Sequence, residues 1–260
     1  MKQIIKNICK SIEKEKNIKI LFAVENGSRA WRMSSKDSDY DVRFVFIRPL
    51  KEYLQINPPG DVLEAGFDKE GNHSDKALID FSGFDIFKFL KLLSSSNPTT
   101  IEWLTTDIVY YGKQNKVFQD FAKNNFNSIS LYHHYKSMSR NNYLKYLKSG
   151  NLVTYKKYLY AYRGLINAKW VASKKSVPPI KFTDTIKLMN GILPNNIIKK
   201  INEIIKLKEK GREKDIIQNI VEMDEFLENF LKDDKEAPKE KSHATFNDLN
   251  KELQKLLLSQ

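Results

Sequence analysis

Ile20-Leu21-Phe22-Ala23-Val24-Glu25-Asn26-Gly27-Ser28-Arg29-Ala30-Trp31, with Asp39-Tyr40-Asp41-Val42-Arg43-Phe44-Val45-Phe46-Ile47 after it, decides how this chain is read. The apolar run at 18–24, bounded by polar residues, has the composition of a strand. Gly27 then allows a sharp turn and a close approach of backbone to a phosphate. Ser28 supplies a hydroxyl and an amide where a short helix is expected to start, a place where unpaired N–H groups favour an anion. Ten residues separate Ser28 from Asp39. Asp39 and Asp41 are two apart at the head of a second apolar strand, 41–47, so their carboxylates face one side and can share divalent cations. Magnesium suits oxygen ligands together with substrate phosphates. Two such ions, ~3.5–4 Å apart, serve the attacking and the leaving oxygen of a displacement. A Gly-Ser pair alone means little, and Asp-x-Asp is common in loops. The ordered combination carries the reading.

Outward from that core, residues 2–16 read as an opening helix, with Ile4, Ile5, Ile8 and Ile12 at helical spacing. Residues 62–67 and 77–81 read as short strands around a polar turn. From Asp85 the period changes to that of a helix, with Asn97-Pro98 as its stop. Beyond that the pattern is helical: 131–148, 154–173, 195–210, 213–232 and a terminal helix at 246–258, with linker composition at 233–243. The fold class expected is α+β, an α/β domain with a mixed sheet at 1–125 followed by an all-helical domain at 126–260.

Composition narrows the function. No stretch approaches the ~18 apolar residues of a membrane span. Charges recur through the N-terminus, so no signal-peptide core forms, and the cytoplasm is the expected location. One cysteine, Cys9, excludes a disulfide framework and a cysteine-rich zinc site. The net charge of +12 is concentrated: 126–200 carries 14 Lys/Arg against one acid, Asp184. Such a field attracts polyanions, whether nucleic acid or nucleoside triphosphate.

The strand, Gly-Ser and Asp-x-Asp series resembles the core of the polymerase-beta nucleotidyltransferase superfamily. GSRAW (27–31), the run ending DSDYDVRFVFIRP (37–49), DFSGFDIFKFLKLL (80–93), SNPTTIEWL (96–104) and YLYAYRGLINAKW (158–170) resemble one branch more closely. That branch is the RNA-ligase-associated, RNA-repair-linked RlaP family, and the resemblance spans roughly 20–185. It implies that Gly27 and Ser28 grip a triphosphate while Asp39, Asp41 and a third carboxylate hold two Mg²⁺ or Mn²⁺ ions. Asp80 fits the third place, with Asp85 and Glu64 as rivals; Asp85 is also well placed as a helix N-cap. The family usually follows GSRAW with Gly and an aromatic, where this chain has Arg32-Met33.

Secondary candidates each carry two readings. Arg29 matches a phosphate in bidentate fashion; Arg43 shares the face of Asp41 and either contacts phosphate or pairs with an aspartate. Tyr155, Tyr158 and Tyr162 form a core stripe, or a wall that stacks a base with Lys157 and Arg163 holding the triphosphate. His133 and His134 lack ligand partners and read as helix surface. The activity expected is transfer of an NMP from an NTP, with ATP among the candidates, to an acceptor hydroxyl such as an RNA end. The competing expectation is a nucleic-acid-binding or toxin-neutralising protein that kept the fold and lost catalysis.

Overall fold

The computed structural model describes residues 1–35, 38–150, 153–232, 234–239 and 245–259, and the chain groups into two compact units. The first comprises 1–30, 39–126 and 243–260; the second comprises 31–38 and 127–242.

In the first unit, α1 (Lys2–Lys16) buries Ile5, Ile8, Cys9 and Ile12, the stripe its sequence spacing places on one side. It ends at Asn17, whose left-handed backbone returns an N–H to Glu13 O. Next come β1 (Lys19–Asn26), the one-turn α2 (Gly27–Ala30), β2 (Tyr40–Ile47), α3 (Leu50–Tyr53), β3 (Val62–Phe67), β4 (Ile79–Asp85), α4 (Ile86–Ser94), α5 (Pro98–Thr105), β5 (Val109–Gly112) and α6 (Lys116–Asn124). The five strands form one mixed sheet in the order β3-β4-β2-β1-β5. Only β2 and β4 run parallel; the other pairs are antiparallel. One core gathers α1 with Ile20, Ala23, Val42, Phe44, Phe46, Ile79 and Phe81. Each fully buried aliphatic or Phe side chain there contributes about 1.5–3 kcal/mol. On the other side of β1, Phe22 meets Phe89 of α4 edge-on at 5.8 Å.

Several boundaries differ from the sequence expectation. The strand expected at 77–81 starts at Ile79 and runs on to Asp85. Gly83 sits inside it because a Cβ there would enter the Phe44 ring. α4 ends at Ser94, just ahead of Asn97-Pro98 as expected, and the dipeptide also begins the next helix: Asn97 accepts the Thr99 N–H, and Pro98 occupies the first turn of α5. β5 and α6 were not foreseen.

The second unit holds α7 (Ser128–Asn142), a π-helical turn (Tyr143–Leu147), α8 (Tyr155–Lys174), α9 (Phe182–Leu188), α10 (Asn195–Glu209) and α11 (Val221–Lys232). The helix expected at 213–232 starts only at Val221. Ahead of it, the chain is extended enough for Ile217 to donate its N–H to Val153 O at 2.9 Å. The last helix, α12 (Asn247–Leu258), expected with the helical segment, groups with the first unit. There Asn115 donates to Glu252 at 2.7 Å, and Phe246 lies against Phe121.

Candidate active site

The C-terminal end of β1 and the N-terminal ends of β2 and β4 meet at one end of the sheet's three central strands, with Asn26 opposite Asp41 and Asp41 opposite Asp80. Because β2 and β4 are parallel and in register, Asp41 and Asp80 share a face, and Arg43 and Ser82, two residues on, share it too. Strand spacing of about 4.8 Å would leave two like charges close together without a cation between them. Arg43 supplies one. Its Nη2 donates to Asp80 Oδ2 at 2.8 Å and to Asp41 Oδ1 at 3.3 Å, while Nη1 donates to the carbonyls of Val42 and Asp80, each at 3.0 Å.

Glu25 supports this corner from inside. Its side chain is fully buried. Oε1 accepts the backbone N–H of Asp41 at 2.9 Å and of Asn26 at 3.2 Å, and Oε2 accepts the Tyr110 hydroxyl at 2.5 Å. One carboxylate thus fixes the ends of β1 and β2 and ties them to β5. Burial pushes its carboxyl above the ordinary carboxylate range, against the pull of the Tyr110 hydroxyl and the Asp41 amide. Between the unfolded and folded values, the folded protein keeps a proton that the unfolded chain has released, so stability falls as pH rises through that window. Glu25→Gln does not titrate. Urea midpoints of the two proteins measured from pH 7 down to pH 5 should therefore shift in favour of Glu25 as the pH falls. A constant difference would contradict this.

Gly27 has φ 61°, a left-handed conformation. A Cβ on it would stand 2.8 Å from Asp41 Cγ and closer still to Oδ2. Glycine therefore serves both the turn and the seat of the Asp41 carboxylate. Ser28 is buried within α2. Arg29 Nε donates to the Asp39 carbonyl at 3.1 Å, and its guanidinium lies 3.8 Å from the Tyr40 ring centre, so it closes the two ends of the 29–39 connection.

Asp39 is exposed just before β2. The expected three carboxylates do not gather into one cluster: among the described residues, no three His, Cys, Asp or Glu side chains group closely enough to hold a metal. Asp41 and Asp80 converge, and on Arg43. Of the rivals to Asp80, Asp85 is buried at the far end of β4. It accepts the Phe87 N–H at 2.9 Å and the Tyr53 hydroxyl at 2.7 Å, the N-cap role its position suggested. Glu64 is exposed opposite Ser82 on β3.

A scan of protein families matches residues 1–259 to RlaP, described as the RNA repair pathway DNA polymerase beta family. The chain belongs to the RlaP family. It is also 36% identical over 262 residues to the uncharacterized protein YcgL of Bacillus subtilis (strain 168), covering 100% of this chain and 96% of that protein.

Arg32 has φ 57°, a backbone state that costs a non-glycine residue about 1–2 kcal/mol. Arg32→Gly should exceed Arg32→Ala in stability by about 1 kcal/mol, or about 2–4 °C in thermal midpoint for a domain of this size. Comparison with Ala removes the side chain from both, and equal midpoints would contradict the strain.

In the second unit, the residues expected to grip a triphosphate are engaged otherwise. The Arg163 guanidinium is buried 3.5 Å from the Trp31 ring centre, and Trp31 also meets Tyr160 edge-on at 5.7 Å. Lys157 lies 3.4 Å from the centre of the Tyr146 ring. Tyr158 and Tyr162 are fully buried, bonded through their hydroxyls to Asp224 and to Met223 O, each at 2.8 Å. They are core residues and not a base-stacking wall. His133 and His134 are exposed on α7.

Acids are missing from 126–200 partly because their partners come later in the chain: Lys136 pairs with Asp234, Lys156 with Glu213, Lys169 with Glu236 and Lys200 with Glu222. Even so, the second unit has 25 Lys/Arg against 14 Asp/Glu, a net of +11, against +1 for the first.

Proposed function

We propose that this RlaP protein is a divalent-metal-dependent nucleotidyltransferase that moves an NMP from an NTP onto an acceptor hydroxyl, releasing pyrophosphate, with an RNA end as acceptor. The acceptor oxygen forms a bond to the α-phosphorus, the α–β bridging bond breaks, and the hydroxyl proton passes to solvent. The observation that carries this reading is the in-register pair Asp41 and Asp80, turned onto one cation beside the glycine turn. Their oxygens are hard donors with side-chain exposures of 33% and 53%, and magnesium is often held by one or two carboxylates plus phosphates, so the pair fits such an ion. With Asp39 as a further ligand, bound metal would lower the pKa of the acceptor hydroxyl and balance the charge of the leaving pyrophosphate. Glu25 holds the Asp41 backbone still, and Gly27 leaves room for the carboxylate. The surplus charge of the second unit and the family's description favour RNA over a neutral acceptor.

The test supplies each labelled NTP with Mg²⁺ or Mn²⁺ and a pool of short RNAs. Label is expected in RNA, with binding that weakens steeply as salt rises. A flat salt response would remove RNA as the acceptor. No incorporation from any of the NTPs would contradict the proposal. It would favour instead a nucleic-acid-binding protein without catalysis, the reading to which the Arg43-filled carboxylate pair and the absence of a three-carboxylate cluster among the described residues also lend weight.

A further inference from the structure

We infer that Arg43 is a resident counter-cation, holding the seat between Asp41 and Asp80 until a divalent ion displaces it; this rests on the metal-binding reading above. The guanidinium is more than a neighbour of the pair. It uses four hydrogen bonds, two to carboxylate oxygens of Asp41 and Asp80 and two to the carbonyls of Val42 and Asp80, so both its terminal nitrogens are fixed. Its planar donors match carboxylates in a way that a lysine ammonium cannot. The side chain is only 17% exposed, while the Asp80 carboxylate it bridges is 53% exposed. The seat is thus closed by Arg43 on the protein side and open towards solvent, the direction from which an ion arrives.

Two consequences follow. Without Arg43, two in-register carboxylates would face each other with no counter-charge between them; with it, both are held in place. An ion must also compete with a tethered charge, so its apparent affinity is the intrinsic affinity multiplied by the fraction of molecules in which the seat is open. Two partly solvated, charge-assisted bonds correspond to an open fraction of about one tenth.

The measurement is Mn²⁺ binding without nucleotide, by electron paramagnetic resonance, to the full chain and to Arg43→Gln, Arg43→Lys, Asp41→Asn and the Asp41→Asn/Arg43→Gln double variant. Arg43→Gln is expected to bind about tenfold more tightly than the parent. Arg43→Lys, which keeps the charge but loses the fork, is expected in between, and Asp41→Asn should abolish the gain. If parent and both Arg43 variants bind alike while Asp41→Asn binds less, the inference is wrong and the metal-binding reading stands. If Asp41→Asn changes nothing in any background, the metal-binding reading fails and the inference with it. Should Arg43→Gln not fold, the Arg43→Lys comparison decides: affinity equal to the parent's overturns the proposal.

Discussion

Asp41→Asn and Asp80→Asn are each expected to lower the proposed NMP transfer by at least about 10³-fold, a loss of about 4 kcal/mol in transition-state stabilisation, with thermal midpoints little changed. The asymmetry follows from what each carboxylate touches. In the folded protein they bond to Arg43 at the partly exposed ends of central strands, and such pairs contribute about 1 kcal/mol or less. For a domain of this size that is about 2–4 °C. In the proposed reaction they would hold the divalent ions that offset the charge of a triphosphate. Asp85→Asn is the contrasting variant. It weakens a helix cap and the bond from Tyr53, costing about 1 kcal/mol of stability, with transfer retained. Glu64→Gln should alter neither. Rates and melting curves on these four proteins separate the candidate third carboxylates, and a rate unchanged in Asp80→Asn would remove that residue from the site.

Gly27→Ala should lower transfer by about 10²-fold or more, because a misplacement of about 1 Å at a reacting centre has that effect. Two penalties combine in this variant. The left-handed backbone costs a residue with a Cβ about 1–2 kcal/mol, and the new methyl competes with the Asp41 carboxylate for the same space. Gly191→Ala and Gly211→Ala separate the two. Both glycines have positive φ, 81° and 79°, and a Cβ on either would meet no atom within 4 Å. These controls should lose stability by the backbone term alone and keep full activity. If Gly27→Ala matches them in both measurements, the Asp41 carboxylate does not depend on the glycine seat.

Much of the first unit was legible because its signals are local. The helix 2–16 follows from four isoleucines at helical spacing, and 62–67 from a short apolar run; both have the bounds expected. Gly27 and Asp41 were readable as a turn and a strand start. What the sequence does not carry is which strands lie side by side. The parallel pairing of β2 with β4 sets Asp80 opposite Asp41 and lets Arg43 reach both. From sequence alone Arg43 carries two readings, a phosphate contact or an ion pair with an aspartate. Glu25 passed as part of a motif. A lone acid closing an apolar strand was the available signal that it would be buried and must find donors. Arg163 and Trp31 are 132 positions apart in sequence, so their stacking left no trace in any local pattern. Asn97-Pro98 was legible in part: it marks the end of α4, while its second role, capping and opening α5, was not read.

The measurement that bears most directly on the central claim uses one NTP labelled in parallel at the α- and at the γ-phosphate, with Mg²⁺ or Mn²⁺ and RNA. α-Label is expected in the RNA and γ-label in pyrophosphate, with both products absent from Asp41→Asn and Asp80→Asn. Transfer of the γ-label to the acceptor, its release as free phosphate, or undiminished α-transfer by either variant would contradict it.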